Sequence, residues 1–423
     1  MKRRHQVVLF AVLLLSLTIL SPSFDFRGSQ HNQGRNQEKD TYTGVSSRNQ
    51  NTSAPLDVMV SMSKAEFESF QKVAKEVAAS IYVEINLRNV EPDEYKEVLD
   101  QEFSLGENGD IILLDSDQVQ HYAKKGYLLP LNATTLSKAL GDSVAELRGI
   151  TEWNGYQWAM PFDVDPYVMG VIPSYLNEAG LQGFPQNREQ WSKLIKESQT
   201  KSAPLISLNI DDIYEASAWL SYLPPGMSPD QILRMQRTSM TNEFQQGISL
   251  LGELQPHIIT MSVDPVLAAS DDKVPTPMFV STLSRILHAD EAAKGRGTFS
   301  SPVSLQALRA VESRSLVITA GAVETDAASH WIEGMSSAVT QKKWYKQTKR
   351  LPARKQESEK EVGDVESRYN MALNQSWFAK ESPVQSIENK MMIDRFQKRV
   401  QQVLEGEISA AQYVSSIRKT VNP

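Results

Sequence analysis

Two aspartates stand directly behind a short apolar run, in the segment Gly109-Asp-Ile-Ile-Leu-Leu-Asp-Ser-Asp117. The run from Ile111 to Leu114 is typical of a buried strand, which places Asp115 and Asp117 at its carboxyl end. In an open α/β sheet, ligands bind beyond the carboxyl ends of the strands. Carboxylate oxygens accept strong, charge-assisted hydrogen bonds, so both side chains could receive the hydroxyl groups of a polar ligand.

Each of these aspartates also has a purely structural interpretation. Asp115 could form an Asx turn or cap the helix that begins near Gln118. Asp117 could lie in the first helical turn, where the helix dipole favours a negative charge. The residue pattern alone leaves the ligand-binding and the structural interpretation open for both positions.

A second acidic segment follows, Trp153-Asn-Gly-Tyr-Gln-Trp-Ala-Met-Pro-Phe-Asp-Val-Asp-Pro-Tyr167. Its Asn-Gly pair predicts a tight hairpin turn, and residues 159–172 are predicted to be extended. On a strand, Asp163 and Asp165 would face the same side. Such a pair could indicate a glycosidase, but no second acidic motif stands out in the sequence.

The elements that must position these residues follow from hydrophobic periodicity. The β-α-β-α-β order of the first part favours a doubly wound, mainly parallel sheet. Ser61 and Ser63 follow the first strand and could line a cleft or cap the next helix. The predicted elements are a strand at Leu56–Ser61, a helix at 64–80, a strand at Ile81–Leu87, a helix at Pro92–Phe103, the strand at Ile111–Leu114, helices at 215–222, 230–254 and 324–335, and a strand at 316–320.

The composition limits the classes of protein to which the chain can belong. Its 423 residues are too many for one hydrophobic core and suit two lobes. The net charge is −7 with both signs mixed, so nucleic acid is not an expected partner. The basic run Lys342–Lys355 predicts a solvated helix end, with a membrane-surface role as the alternative.

The motifs of the common enzyme classes are missing from the sequence. It contains no Gly-x-Ser-x-Gly, no P-loop and no cysteine, and its six histidines are scattered. We therefore predict a protein that is not an enzyme and that holds no cofactor and no metal. Without cysteine, the chain can form no disulfide and cannot carry the acyl chains of a bacterial lipoprotein.

The N-terminal residues predict export from the cytoplasm. A basic start, Met1-Lys-Arg-Arg, precedes the apolar run Val7–Leu20. That run is shorter than the roughly 20 residues that span a bilayer, which favours a secretory signal within residues 1–23. An uncleaved signal anchor is the alternative. Residues 24–54 are polar without periodicity and predict a flexible tether.

Several of these segments together resemble the family 1 extracellular solute-binding proteins of bacterial ABC importers, the carbohydrate (maltodextrin) type. The resemblance rests on 109–131, on 153–180, on 316–355 and on Leu404-Glu-Gly-Glu-Ile-Ser-Ala-Ala-Gln412, and it is thin between 195 and 315. It implies a two-lobed α/β fold of the periplasmic-binding-protein type II, with a mainly parallel sheet in each lobe and the ligand between the lobes. Lobe 1 would comprise 55–165 and 311–345, and lobe 2 would comprise 166–310 and 346–423.

The resemblance also implies the residues of a ligand site. Asp117 and Asp165 match carboxylates that bind the ligand in the family. Trp219 and Tyr222 lie where family members place an aromatic ring that stacks on a sugar, although core packing is the alternative. The other candidates are neighbours in position: Asp115, Asp163, Tyr167 and Ser61.

The function that the resemblance implies is capture of a polar ligand outside the cytoplasm. The expected ligand is a mono- or oligosaccharide, and the expected partners are the two permease subunits of an ABC importer, served by a monomeric receptor. The alternative is a membrane-tethered sensor or adaptor that keeps the fold without a transport role. The missing acylation cysteine and the thin resemblance between 195 and 315 favour that alternative.

Overall fold

A computed structural model describes most of the chain after the predicted tether. The described residues are 54–171, 173–185, 187–234, 242–262, 264–266, 276–292, 311–369 and 390–421. The signal or anchor at 1–23 and the tether up to residue 53 lie outside them, so those interpretations stay predictions. Within the described ranges, no helix is both long and apolar enough to cross a membrane.

The strands of the described residues are short except for two, Met160–Val171 with 12 residues and Val311–Thr319 with 9. They are β1 (Leu56–Val60), β2 (Ile85–Asn89), β3 (Ile111–Asp115), β4 (Leu128–Leu129), β5 (Glu152–Trp153), β6 (Tyr156–Gln157), β7 (Met160–Val171), β8 (Ile206–Asn209), β9 (Ile258–Met261), β10 (Met278–Thr282), β11 (Val311–Thr319) and β12 (Leu351–Pro352).

Helices cover the sheet and follow most of its strands. They are α1 (Lys64–Ser80), α2 (Pro92–Leu105), α3 (Val119–Lys124), α4 (Ala133–Asp142), α5 (Ala145–Thr151), α6 (Pro173–Glu178), α7 (Arg188–Lys201), α8 (Ile213–Tyr222), α9 (Pro229–Arg234), α10 (Asn242–Leu254), α11 (Leu283–Ala292), α12 (Thr325–Met335), α13 (Ala338–Thr348), α14 (Lys355–Tyr369), α15 (Lys390–Leu404) and α16 (Ala410–Val421). Short 3-10 turns occur at Ser116–Gln118 and Gln255–His257.

The main sheet consists of two parallel sets of strands joined by two antiparallel strands. Its order is β2-β1-β3-β11-β7-β10-β8-β9, with β4 paired to β11 and β12 paired to β7. The pairs β1–β2, β1–β3, β8–β9 and β8–β10 are parallel, as the β-α-β order predicts. The joining strands β11 and β7 are antiparallel to both neighbours, which the sequence did not indicate.

Strand β7 links the two halves of the sheet. All its 12 residues are buried. Its first part pairs with β11, and its last part, from Tyr167 to Val171, pairs with β10. At Gly170 a Cβ atom would lie 2.2 Å from the ring of Phe279, so only glycine allows this approach of the two strands.

The pairing of β7 with β11 contains one extra residue. Arg314 lies opposite Asp163, whereas the next residue, Ser315, lies opposite Pro161. Phe162 is therefore the additional residue of a β-bulge. The bulge sits where the apolar half of β7 gives way to its two aspartates.

Each half of the sheet packs on its own hydrophobic core. The core of the first half centres on Phe70, Phe162, Trp331 and Trp344, all without exposed surface. Trp344 meets Phe162 and Phe70 with ring centroids 5.4 and 5.9 Å away. The core of the second half includes Trp191, Trp219 and Tyr413, and the buried stripe of α15 and α16 closes it.

Several predicted elements are confirmed, among them the hairpin at Asn154-Gly155, where both residues have positive φ. The strand predicted at Ile81–Leu87 is wrong at its start, because β2 begins at Ile85. Ile81 ends α1, and Tyr82 has a φ of 58°. Of the helix predicted at 230–254, α9 and α10 cover the described residues, and residues 235–241 lie outside the described ranges.

The basic run at 342–355 is also not the solvated helix end that we predicted. Trp344 is fully buried and Arg350 is 7% exposed. Lys342, Lys343, Lys346 and Lys355 are exposed, and these exposed cations hid the burial of Trp344 and Arg350 in the same run. Arg350 ends beside β7 because β12, one residue later, pairs with Val164 and Asp163.

Substitutions of Trp344 test how much the packing of α13 contributes to the stability of the fold around β7. We expect Trp344→Ala to lower the free energy of unfolding by about 3–5 kcal/mol, through the lost transfer energy and the cavity. Trp344→Phe keeps much of the volume but removes the indole N–H that donates to Asp163. We expect this variant to lose about 1–3 kcal/mol of unfolding free energy. Urea unfolding measures both.

The matched control is Val339→Ala on the same helix, because Val339 is 68% exposed. Its unfolding free energy should stay within about 0.5 kcal/mol of the wild type. Equal losses for Val339→Ala and Trp344→Ala would contradict a core role for Trp344.

Candidate functional site

The carboxyl ends of parallel strands from both halves of the sheet meet at the crossing of β7 and β11. From the first half, Ser116 follows β3, and its hydroxyl lies 2.7 Å from that of Ser315 on β11. From the second half, Ser284 follows β10, and its backbone N–H donates to Asp165 on β7 over 2.9 Å. Ligands of open α/β sheets bind at such strand ends, so this crossing is the candidate site.

Helix α1 also begins at this crossing. Ser63 caps its N-terminus by accepting a hydrogen bond from the Glu66 N–H over 3.3 Å. Glu66 in the first turn then lies 3.1 Å from Nη2 of Arg314 on β11. The cap therefore fixes a helix start whose acidic residue contacts the crossing strand.

Five residues form an ionic group, buried except for the partly exposed Glu312, that we call the crossover cluster: Asp163, Asp165, Glu312, Arg314 and Arg350. Asp163 is fully buried and accepts hydrogen bonds from Nε of Arg314 over 3.0 Å and from the Trp344 indole over 2.8 Å. Its Oδ1 also lies 3.1 Å from Nε of Arg350. Burial alone would raise the pKa of Asp163, but the two guanidinium groups and these hydrogen bonds hold that pKa below its usual value.

Asp165 lies in the same cluster, but burial and the neighbouring charges affect its pKa differently. Its carboxylate accepts from the backbone N–H and the hydroxyl of Ser284, and Arg350 Nη1 donates to it over 3.1 Å. Burial raises the pKa of Asp165 to about 6 although Arg350 lowers it, and the negative charge of Glu312 raises it as well. The pKa values of the two aspartates of β7 are thus shifted in opposite directions.

Tyr167 extends the cluster into the second half of the sheet. Its hydroxyl lies 2.9 Å from Asp212 Oδ2 and 2.9 Å from Glu312 Oε1. A phenol has one hydrogen, so both contacts are hydrogen bonds only when one of the two carboxyl groups is protonated. Burial raises the pKa of Asp212, and Glu312 raises it too, which is consistent with a shared proton here.

Acidic groups outnumber basic groups at the crossover. Together with Glu66 and Asp212, the cluster brings five carboxyl groups against the guanidinium groups of Arg314 and Arg350. Arg350 nevertheless keeps Nη2 buried without a hydrogen-bond partner among the described residues. The excess of carboxylates means that the crossing offers mainly hydrogen-bond acceptors, which suits a ligand that donates hydroxyl hydrogens.

The aspartates behind β3 lie at the exposed edge of this region. Asp115 occupies the N-cap position of the 3-10 turn, but its side chain makes no capping hydrogen bond and is exposed. Asp117 is exposed in the same turn, 3.4 Å from the amide nitrogen of Gln118. Ser61 follows β1 and is partly exposed, and the cap of α1 is Ser63. The β3 register places Asp115 opposite Arg314 of the cluster.

Both aromatic candidates pack on the hydrophobic core of the second half, Trp219 fully buried and Tyr222 partly buried. Trp219 has no exposed surface and packs in the hydrophobic core, so its ring faces no cleft. Tyr222 donates its hydroxyl to the Pro185 carbonyl over 3.0 Å and packs edge-to-face on Phe184. The structure thus brings Asp163, Asp165 and Tyr167 together with one another but not with these two rings.

Several residues of the crossover were absent from the sequence interpretation. All of them are charged or polar residues that lie inside a strand or close to a strand end, and this pattern could have identified them. These residues are Glu66, Asp212, Ser284, Glu312, Arg314 and Arg350. Arg314 interrupts an apolar strand, and buried arginine is rare unless it is paired. Its partner, however, is 151 positions away in sequence, and no local pattern reveals that distance.

The raised pKa of Asp165 gives the crossover a pH dependence with a defined sign. Because this pKa is about 6 rather than 3.8, the folded chain binds a proton more tightly than the unfolded chain. The free energy of unfolding therefore falls as pH rises from about 4 to about 6. We expect Asp165→Asn to remove this fall. Measured by urea unfolding, the free energy of unfolding of the variant relative to that of the wild type should rise by on the order of 2 kcal/mol between about pH 4 and about pH 6.

Asp163→Asn is the control with the opposite sign. The lowered pKa of Asp163 means that its charge stabilises the fold above about pH 4, and that this stability is lost as pH falls below that value. The penalty of Asp163→Asn should therefore shrink at low pH. Parallel pH profiles for the wild type and Asp165→Asn would contradict a buried, proton-binding Asp165.

Three solved structures with a similar arrangement of two α/β lobes are distant from this chain in sequence. An ABC transporter solute-binding protein from Thermotoga lettingae, bound with α-D-tagatose, has a TM-score of 0.66 at 15% identity and covers 88% of this chain and 99% of its own. The GacH receptor of Streptomyces glaucescens, solved unliganded and with acarbose, has a TM-score of 0.66 at 19% identity over 87% and 98%. The sugar-binding protein MalE from Xanthomonas citri has a TM-score of 0.63 at 13% identity over 87% and 96%.

These structural neighbours confirm the two-lobed periplasmic-binding-protein-like fold. No curated protein matches the chain in sequence. The family model described as bacterial extracellular solute-binding protein, in contrast, matches residues 67–368, which is most of the chain and includes the whole crossover cluster. This chain belongs to the bacterial extracellular solute-binding proteins.

Proposed function

We propose that this protein captures a carbohydrate between its two lobes and presents it to the permease subunits of an ABC importer, without catalysis. The observation that carries this proposal is the convergence of strand ends from both halves of the sheet on one carboxylate-rich crossing. Sugar hydroxyls donate well to carboxylates, and the charge of the acceptor strengthens each bond. The structural neighbours bound with α-D-tagatose and acarbose support the same ligand class.

Within this proposal, the residues divide into two groups by exposure. Asp115, Asp117 and Ser61 are at least partly exposed and supply the first-lobe contacts to the ligand. Asp163 and Asp165 are buried against cations, so they set the geometry and charge of the crossing. Glu312, partly exposed and in contact with Arg350, lies between the two groups.

The proposed motion is a hinge closure of the lobes about β7 and β11. Strand β7 pairs with β11 on one side and with β10 of the second half on the other, and the cluster ties β7 to β11. As a member of an extracellular family, the protein works outside the cytoplasm. Retention at the cell surface would depend on the first 23 residues, and we propose that the protein acts as a monomer.

A ligand screen tests the carbohydrate proposal. Saturating monosaccharides and oligosaccharides should raise the melting temperature for the correct sugar, because a ligand at 100 times its Kd stabilises the folded state by about 2.7 kcal/mol. Calorimetric titration with the best sugar then gives the stoichiometry, which we expect to be one. The absence of a shift with every sugar, combined with a shift for an amino acid or a peptide, would contradict the proposed ligand class.

Asp117→Asn tests the first-lobe contact. Since it removes a charged acceptor from an exposed position, we expect the affinity for the sugar found in the screen to fall roughly 10- to 100-fold. The melting temperature without ligand should not change. Asp326→Asn is the matched control, because Asp326 is also exposed in a first helical turn but follows β11 at the opposite edge of the sheet. Equal affinities for the two variants would remove Asp117 from the site.

A further inference from the structure

A basic groove lies between the last two helices, on the second half of the molecule. Its volume is about 680 Å³. Helices α15 and α16, joined by a short loop, form its walls, and no carboxylate lines it among the described residues. We define the basic groove by Arg395, Lys398 and Arg399 of α15 together with Ser415, Ser416 and Lys419 of α16.

The cations of the basic groove lack ionic partners within the described part of the chain. No ion pair of the described residues involves Arg395, Lys398 or Lys419. Arg399 donates from Nη1 to the neutral amide of Gln402 over 2.8 Å. The chain as a whole carries a net charge of −7, so four cations that share one groove are a local exception. Such a field attracts anions from solution.

The charges are spread along the groove and do not converge on one point. Helical rise places Arg395 and Arg399 about 6 Å apart along α15. Because α15 and α16 run antiparallel as a helical hairpin, Lys419 lies near the same end as Arg395. An anion with several charges spaced by a few ångströms therefore fits the groove better than a single compact ion.

The remaining lining residues indicate the chemistry of the partner. Gln402, Gln412 and Ser415 offer amide and hydroxyl donors, which bind phosphate and hydroxyl oxygens, whereas the Ser416 hydroxyl donates to the Tyr413 carbonyl. Ile408 is the one apolar side chain among the described lining residues, and none is aromatic. An amphipathic protein helix needs apolar anchors and nucleic-acid bases need stacking partners, so neither is favoured.

We propose that the basic groove binds a linear polymer of phosphate groups, held by its repeated negative charges. The contact is electrostatic and separate from the crossover cluster. It gives this acidic protein a second binding surface, one that would attach its second lobe to a phosphate-bearing polymer while the crossover stays available for a solute. The proposal does not depend on the identity of that solute.

Binding of fluorescently labelled linear polyphosphate to the full chain, followed by anisotropy at several salt concentrations, tests this inference. We expect Lys398→Gln/Lys419→Gln to weaken binding about tenfold and to reduce the slope of log Kd against log salt by roughly one to two, because two phosphate contacts are lost. The control Lys72→Gln/Lys75→Gln makes the same change in net charge on exposed positions of α1. It should bind as the wild type does, and circular dichroism melts confirm that both variants fold.

Other outcomes overturn the proposal. Equal weakening by the two double variants would indicate binding by net charge alone. Inorganic phosphate that competes at the same concentration of phosphate groups would indicate a site for single ions. Binding to phosphatidylglycerol vesicles in the absence of polyphosphate binding would identify the partner as a membrane surface. No binding at low salt would show that the groove is not a polyanion site.

Discussion

The burial of two aspartates in the strand that joins the halves of the molecule constrains the rest of the structure. A buried carboxylate is costly unless it is paired, and removing one partner of a buried pair leaves an uncompensated charge. Arg314 and Arg350 supply the pairing, and they come from β11 and from the residue before β12. These three strands must therefore stay in one register at the crossing.

The same constraint connects the fold to ligand capture. The crossing strands are the covalent links on which the two lobes would turn, and the candidate ligand carboxylates stand at the strand ends beside them. Glu66 from α1 and Asp212 from before α8 reach the cluster from opposite halves. A solute that bound between the lobes would thus change the surroundings of charges that already hold the crossing together. An excess of carboxyl groups makes that environment responsive to protons as well as to hydroxyl donors.

Local patterns in the sequence predicted local structure well. The apolar run before Asp115, the amphipathic period of α1 and the Asn154-Gly155 turn each gave the observed element, because short-range sterics and periodicity determine them. Family resemblance placed Asp165 at the crossing of the lobes. Its burial and its partner Arg350 could not be predicted, since they are 185 positions apart and meet only when β12 pairs with β7. For Trp219 the sequence left both a stacking ring and core packing open, because an aromatic residue near a strand end has the same local pattern in a core as in a cleft, and the ring is fully buried.

The bulge at Phe162 has a further consequence for how this segment can vary. Normally, residues three apart on a strand face opposite sides. With one extra residue, Met160 and Asp163 both fall on the face shared by Leu316 and Arg314, and Phe162 and Asp163 both contact Trp344. The hydrophobic core and the ionic cluster therefore lie next to each other on one face of the sheet. The extra residue of the bulge, and not the type of any side chain, brings them onto the same face. Related sequences should tolerate replacements near this boundary more readily than the gain or loss of one residue, because an insertion or deletion would turn the aspartates to the opposite face of the sheet, away from Arg314 and Trp344.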